Sequence, residues 1–322
     1  MLSVFGHFTI IFVTNIVFLP YKRVVHQIFN HKYCDLITLL GKFGTKNMVI
    51  LILAIMLQLA DIDKTFKNDC DYNKCKEELE ELLPSASSPK EKSEIIWRLS
   101  RVELMLGEEA KETELKRKHF NAGIAWAEMG IKEDPNNVEC YAWHCANVGR
   151  ECQTHSLIDQ AAAVPVMTED LTIILDKLGD TNCSQAWQAL SEMYYHHPFK
   201  SDKSAVNFAR KAATCIPTDE LRLSTYIHLA DLLKERGWSK EKRASEAASN
   251  KKRFNKANQS AIDKYSYFDG SDEILPWCGK TAAQISDKEE ADSLIKYAKE
   301  KFAQTENPTP IDIKDHNKIQ ER

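Results

Sequence analysis

The feature that most constrains this chain is a recurring pairing of one bulky aromatic with small residues on the helix that follows. Amphipathic segments carry Trp97, Tyr141, Trp187 and Tyr226 at intervals of 44, 46 and 39 residues. Apolar or small residues follow each aromatic at helical offsets: Leu104 after Trp97, Val148 after Tyr141, Leu190, Ser191 and Tyr194 after Trp187, and Leu229, Ala230 and Leu233 after Tyr226. The next helix presents small residues on one face, Gly123 and Gly130 in the first pair and Ala205, Ala209 and Ala212 in the third. Small side chains let that helix approach the ring of its neighbour. A proline turn then stops it, as in Glu133-Asp-Pro135-Asn-Asn137 and Ile216-Pro217-Thr-Asp219. One such hairpin cannot bury its apolar stripe alone, so hairpins must stack into an array. Apolar residues recur at i, i+3 and i+4 spacings (Ile96, Leu99, Val102, Leu106) and no sustained period of two occurs. Eleven Gly and ten Pro in 322 residues are too few for a turn-rich all-β fold. The expected fold is all-α, a solenoid of about four helix hairpins.

Four regions follow from the pattern. Residues 1–60 form an N-terminal hydrophobic membrane-anchor or signal region. It holds an apolar run at 4–19, a polar break with Lys22, Arg23 and Lys32, and a second run from Met48 to Ala60. The first run is marginal for a membrane helix and the second is short. The second, preceded by Lys42 and Lys46 and ending at Ala60-Asp61, has the outline of an export signal. Three readings stay open: a membrane anchor with the rest cytoplasmic, export to a periplasm-like space after cleavage near Ala60, or a hydrophobic helix buried in the fold. Residues 61–92 read as a polar linker with a short helix that ends at the Pro84 to Pro89 cluster. Residues 93–258 are the repeat domain. Residues 259–322 are a polar extension, partly disordered from Asn307-Pro-Thr-Pro310 onward. Nine scattered cysteines argue for a mostly reduced chain, with Cys70 and Cys75 a pair in an exported one.

The third hairpin, Trp187-x2-Leu190-Ser191-x2-Tyr194 with Ala205, Ala209, Ala212 and Pro217, resembles a tetratricopeptide repeat. Ser191 stands where that family usually has Gly, and the hairpin turn at His197 to Asp202 holds two extra residues. The Asp134-Pro135-Asn136-Asn137 turn, Tyr141-Ala-Trp143-His144-Cys145, Gly149-Arg-Glu151 and the preceding Gly123 to Gly130 narrow the likeness. Over residues 93–238 the chain is similar to the regulator of microtubule dynamics family and its bacterial repeat-protein relatives. The long helix expected from Leu157 to Leu178 is a shared feature. The resemblance implies a non-catalytic adaptor with tubulin or microtubules as partner. The rival reading is an exported repeat subunit that holds a peptide or small ligand in a transport or envelope complex.

In a tetratricopeptide-like array the first helix of each hairpin lines the concave face. Polar residues between the core positions there, Arg98, Arg101, Asn147, Arg150, Gln188 and Glu192, mark the expected groove for a protein partner. Residues 234–256 carry a net charge of +6. Their cations, Lys240, Lys242, Arg243, Lys251, Lys252, Arg253 and Lys256 foremost, make an expected patch for an acidic partner, by charge a tubulin tail or an anionic membrane surface. Nucleic acid is not expected, since the chain as a whole has charge −4 and the stretch has only Trp238 and Phe254 as aromatics.

No motif for nucleotide binding, serine hydrolysis or zinc proteolysis occurs, so neither catalysis nor a cofactor is expected. Cys140 and His144 share a helix face, with Cys152 or His155 within reach as further ligands, but no Cys-x2-Cys element supports a metal and packing is the expected role. His196-His197 reads as a helix end. Trp126, Trp143, Tyr194, Tyr195 and Phe208 are expected in the core rather than around a lipid cavity.

Overall fold

The computed structural model describes residues 46–196, 202–217, 220–257 and 259–320. The apolar run at 4–19, its basic flank and the hairpin turn at 197–201 lie outside the described residues. Among the described residues thirteen α-helices form and no strand, so the fold is all-α. The chain divides into two compact units, Met1–Gln58 and Leu59–Arg322. In the first, the described part is the opening of helix α1 (Lys46–Lys64), which carries the buried Ile55. Among the described residues no helix is long and apolar enough to cross a membrane.

The second unit begins in α1, which continues through the Ala60-Asp61 junction and widens into a π-turn at Thr65–Asp69. Helices α2 (Tyr72–Leu82), α3 (Pro89–Glu109), α4 (Thr113–Glu133), α5 (Val138–Cys152) and α6 (Leu157–Thr172) follow. The stretch expected as a linker is structured, because Cys75 and Leu79 of α2 are fully buried and α2 packs on α3. Ser88 caps α3, accepting from the Glu91 amide with Pro89 in the first turn. Asn137 of the predicted turn caps α5 by accepting from the Glu139 amide.

Helices α3 and α4, α5 and α6, and α7 (Ser184–His196) and α8 (Asp202–Thr214) pair as hairpins. Close packing depends on the small residues. A Cβ built on Gly130 would lie 2.5 Å from the Cys140 sulfur, and one on Gly123 would collide with the Asn147 carboxamide. Trp187 is fully buried and stacks on Phe208 at 5.9 Å, while its indole donates to the Thr181 carbonyl. Tyr226 is buried as well.

The fourth pairing differs from expectation. Helix α9 (Leu223–Arg236) ends at Gly237, whose φ of +61° is the left-handed conformation that glycine adopts cheaply. Its partner is not the next helix, α10 (Lys240–Lys256), but α12 (Asp287–Ala303). The physical reason is that α10 has no apolar stripe, whereas Ala291, Leu294 and Ala298 of α12 form one and are fully buried. The C-terminal segment is accordingly folded rather than partly disordered through residue 320. It contains α11 (Ala261–Tyr265), a loop with buried Leu275 and Trp277, α12, and α13 (Pro310–Gln320), whose Ile319 joins the core around Tyr226 and Leu233.

Helix α10 is fastened by charge. Arg243 reaches Glu290 and lies 3.3 Å from Asp287. Arg210 of α8 pairs with Glu290 at 2.8 Å, and Arg236 of α9 with Asp287 at 2.7 Å. Burial would raise the Glu290 pKa, but the Arg210 and Arg243 charges and hydrogen bonds hold it down to about 2. A carboxylate with a depressed folded pKa stabilises the fold above its unfolded value, and that contribution is lost as pH falls toward 2. Glu290→Gln would leave two buried guanidinium groups short of charge. It should cost about 3–5 kcal/mol in urea unfolding at pH 7 and flatten the decline in stability between pH 4.5 and 2.

Candidate functional site

The six residues expected on the partner face separate into two groups. Arg98 and Arg101 of α3 are buried and bind Asp63 of α1. Arg98 donates from Nε at 3.2 Å and from Nη2 at 2.9 Å, and Arg101 Nη2 donates at 2.6 Å. Arg98 Nη1 also donates to the Glu94 carbonyl at 2.7 Å. Burial would raise the Asp63 pKa, but the two arginines outweigh it and lower it.

Asn147 of α5 is fully buried. Its amide donates to the Ser100 carbonyl, the Ser100 hydroxyl and the Trp143 carbonyl at 3.2, 3.0 and 2.9 Å. These bonds tie α5 to α3, which makes Asn147 part of the repeat interface rather than of a free surface.

The other three remain accessible in part. Arg150 is exposed over about two-fifths of its side chain and pairs with Glu108 at 3.1 Å. Gln188 of α7 accepts from the Thr225 hydroxyl of α9 at 2.6 Å and donates to Glu192 at 3.2 Å. A carboxylate the sequence reading missed, Glu139, stands at the start of α5. The Trp143 indole donates to it at 3.1 Å, yet burial raises its pKa despite that bond and the charge of Arg101. Nothing in the local pattern separates Glu139 from the many solvent-facing acids. Only the fold brings it near Arg101.

Helix α10 carries the residues expected to meet an acidic partner. Lys240, Lys242, Lys251, Lys252, Arg253 and Lys256 lie on the outward side of α10. Arg243 is a correction, because it points inward to the ion cluster and is buried. Lys242 pairs with Glu246 at 2.9 Å and Lys251 with Asp272 at 2.9 Å. Glu246 is held at about 2 by hydrogen bonds from Lys242 and Lys203.

Cys140 and His144 have separate roles in packing. Cys140 is fully buried beneath Gly130, and His144 Nδ1 lies 2.7 Å from Asp170 of α6. Burial alone would lower the His144 pKa, but the Asp170 hydrogen bond and charge together raise it. Cys152 and His155 line an open depression of about 410 Å³ with Glu151, Ala162 and Ala163, and His155 is engaged by Glu151. Among the described residues no group of three or more His, Cys, Asp or Glu side chains is arranged for a metal ion. Cys70 and Cys75 are free thiols. The five aromatics considered for a cavity face different surroundings: Tyr194 packs edge-on to Phe208, Tyr195 donates to Glu235, and Trp143 donates to Glu139.

The family model described as "Regulator of microtubule dynamics protein 1-3" matches residues 58–169. That stretch runs from the end of α1 through α2, α3, α4 and α5 into α6, and includes the Asp63 clamp and the Ser100–Asn147 contact. No curated protein matches the chain.

The two groups of face residues should respond differently to truncation. Asn147→Ala would leave Ser100 without its cross-repeat donor and should cost about 1–3 kcal/mol in urea unfolding. Arg150→Ala, at a partly exposed surface position, should stay within about 0.5 kcal/mol.

Proposed function

We propose that this chain is a non-catalytic helical-repeat adaptor that engages a protein partner through its repeat face and a microtubule through α10. The observation that carries the reading is the division of charge on α10. Arg243 and Asn250 turn inward, and the other cations of the helix turn out together. Six outward cations on a helix of 17 residues make a local positive surface on a chain whose net charge is −4. Such a surface attracts acidic polypeptide tails, and salt weakens the attraction when the charges are exposed. The match to the regulator of microtubule dynamics model supports tubulin as the acidic partner. The partly accessible Arg150, Gln188 and Glu192 supply polar contacts for the protein partner.

The test is cosedimentation with taxol-stabilised microtubules. The chain should pellet at about 50 mM salt and largely stay in the supernatant at about 300 mM. Lys251→Glu, Lys252→Glu and Arg253→Glu in one variant should abolish pelleting while far-ultraviolet circular dichroism stays unchanged. Pelleting that ignores salt, or that survives the triple reversal, would remove α10 as the contact.

A further inference from the structure

The two arginines on the α3 face already hold a ligand, and it is part of the same chain. Leu59, Ile62, Asp63 and Phe66 stand at i, i+3, i+4 and i+7 and turn inward, with Leu59, Ile62 and Phe66 buried. Asp61, Lys64 and Lys67 face outward. This is the spacing by which an amphipathic helix anchors in a groove. Asp63 accepts hydrogen bonds from both Arg98 and Arg101. The Arg101 guanidinium lies 3.8 Å over the Phe66 ring and 5.1 Å from Trp97, and Arg98 lies 4.1 Å over Trp97. Ring and cation thus alternate from α3 to the segment.

We propose that Trp97, Arg98 and Arg101 form a receptor surface for a helix bearing an acid and, three residues on, an aromatic, and that residues 59–69 fill it as a displaceable intramolecular ligand. One observation supports displacement: the self-ligand is incomplete, because Arg101 Nε is buried and has no acceptor. A partner helix with one more carboxylate would satisfy that donor. A buried N–H left unpaired is costly, which favours such a partner over the chain's own segment. The proposal rests on the repeat face being a partner surface and does not involve α10. Its test uses no microtubules, so either reading can fail alone.

The experiment uses the full chain and its Asp63→Asn and Asp63→Arg variants. Hydrogen exchange is followed by mass spectrometry, with a fluorescein-labelled, stapled helical peptide of the 59–69 sequence as probe. Both variants should exchange amides 59–69 about tenfold faster or more while α7 and α8 keep their protection. The probe should bind the Asp63→Arg chain at least about tenfold more tightly than the native chain, whose receptor is filled. A probe with Asn in place of its aspartate should lose that binding. Unchanged exchange at 59–69 in both variants would overturn the proposal. So would loss of protection across α7 and α8 in both, which would make the segment an indispensable part of the fold. Equal binding of the probe to native and variant chains would overturn it as well.

Discussion

A buried serine hydroxyl, used twice in the same way, sets the distance at which helices of this array can pack. Ser100 of α3 donates to the Gly123 carbonyl of α4 at 2.8 Å, and Ser191 of α7 donates to the Ala205 carbonyl of α8 at 2.8 Å. A side chain to backbone bond of that length requires the second helix to lie against the first, so the residue at the crossing must be Gly or Ala. Each hydroxyl then accepts from the next hairpin. Asn147 of α5 donates to Ser100 at 3.0 Å, and His228 of α9 lies 2.9 Å from Ser191. Because the Ser191 proton is committed to Ala205, the imidazole must donate from Nε2. Burial lowers the His228 pKa. One polar atom therefore fixes both the closure of a hairpin and its stacking on the next, in an interior where an unsatisfied group would be expensive.

This contact explains which parts of the architecture were legible in the sequence. The aromatics and small residues are local in pattern, so the helices, their pairing in three hairpins and the burial of Trp187 and Tyr226 could be read directly. Ser191 was visible only as a departure from glycine. It adds a hydrogen bond that glycine could not make. The fourth pairing was illegible because adjacency in sequence favoured α10, while the partner of α9 begins about fifty residues later. A usable signal existed in the capping box of Ser286 and Glu289 and in the Ala291, Leu294, Ala298 stripe. The high polarity of the segment masked that periodicity.

The face residues were harder to read for a different reason. Arg98 and Arg101 look like solvent-facing cations from their positions in α3, and their burial depends on Asp63, 35 and 38 residues away. Long-range charge pairing has no periodicity to detect. The same holds for Arg243, which sits among outward cations in sequence but meets Asp287 and Glu290 in space.

The ion cluster and the outward charge of α10 are two consequences of one composition. A helix with so few apolar residues gains little by burying a stripe, so hydrophobic docking alone does not hold it. Arg243, with the amide of Asn250 donating to Asp269, adds a polar attachment. Arginine suits the position because its planar group can serve two carboxylates at once. That attachment, with Phe254 packed on Tyr265 and Phe268 and Glu246 paired with Lys203, still leaves the six lysines and arginines of the outer side exposed. An apolar anchor would have required replacing cations over a wider arc. Fastening by a narrow buried charge contact is what lets the helix be part of the fold and still present six cations to solvent.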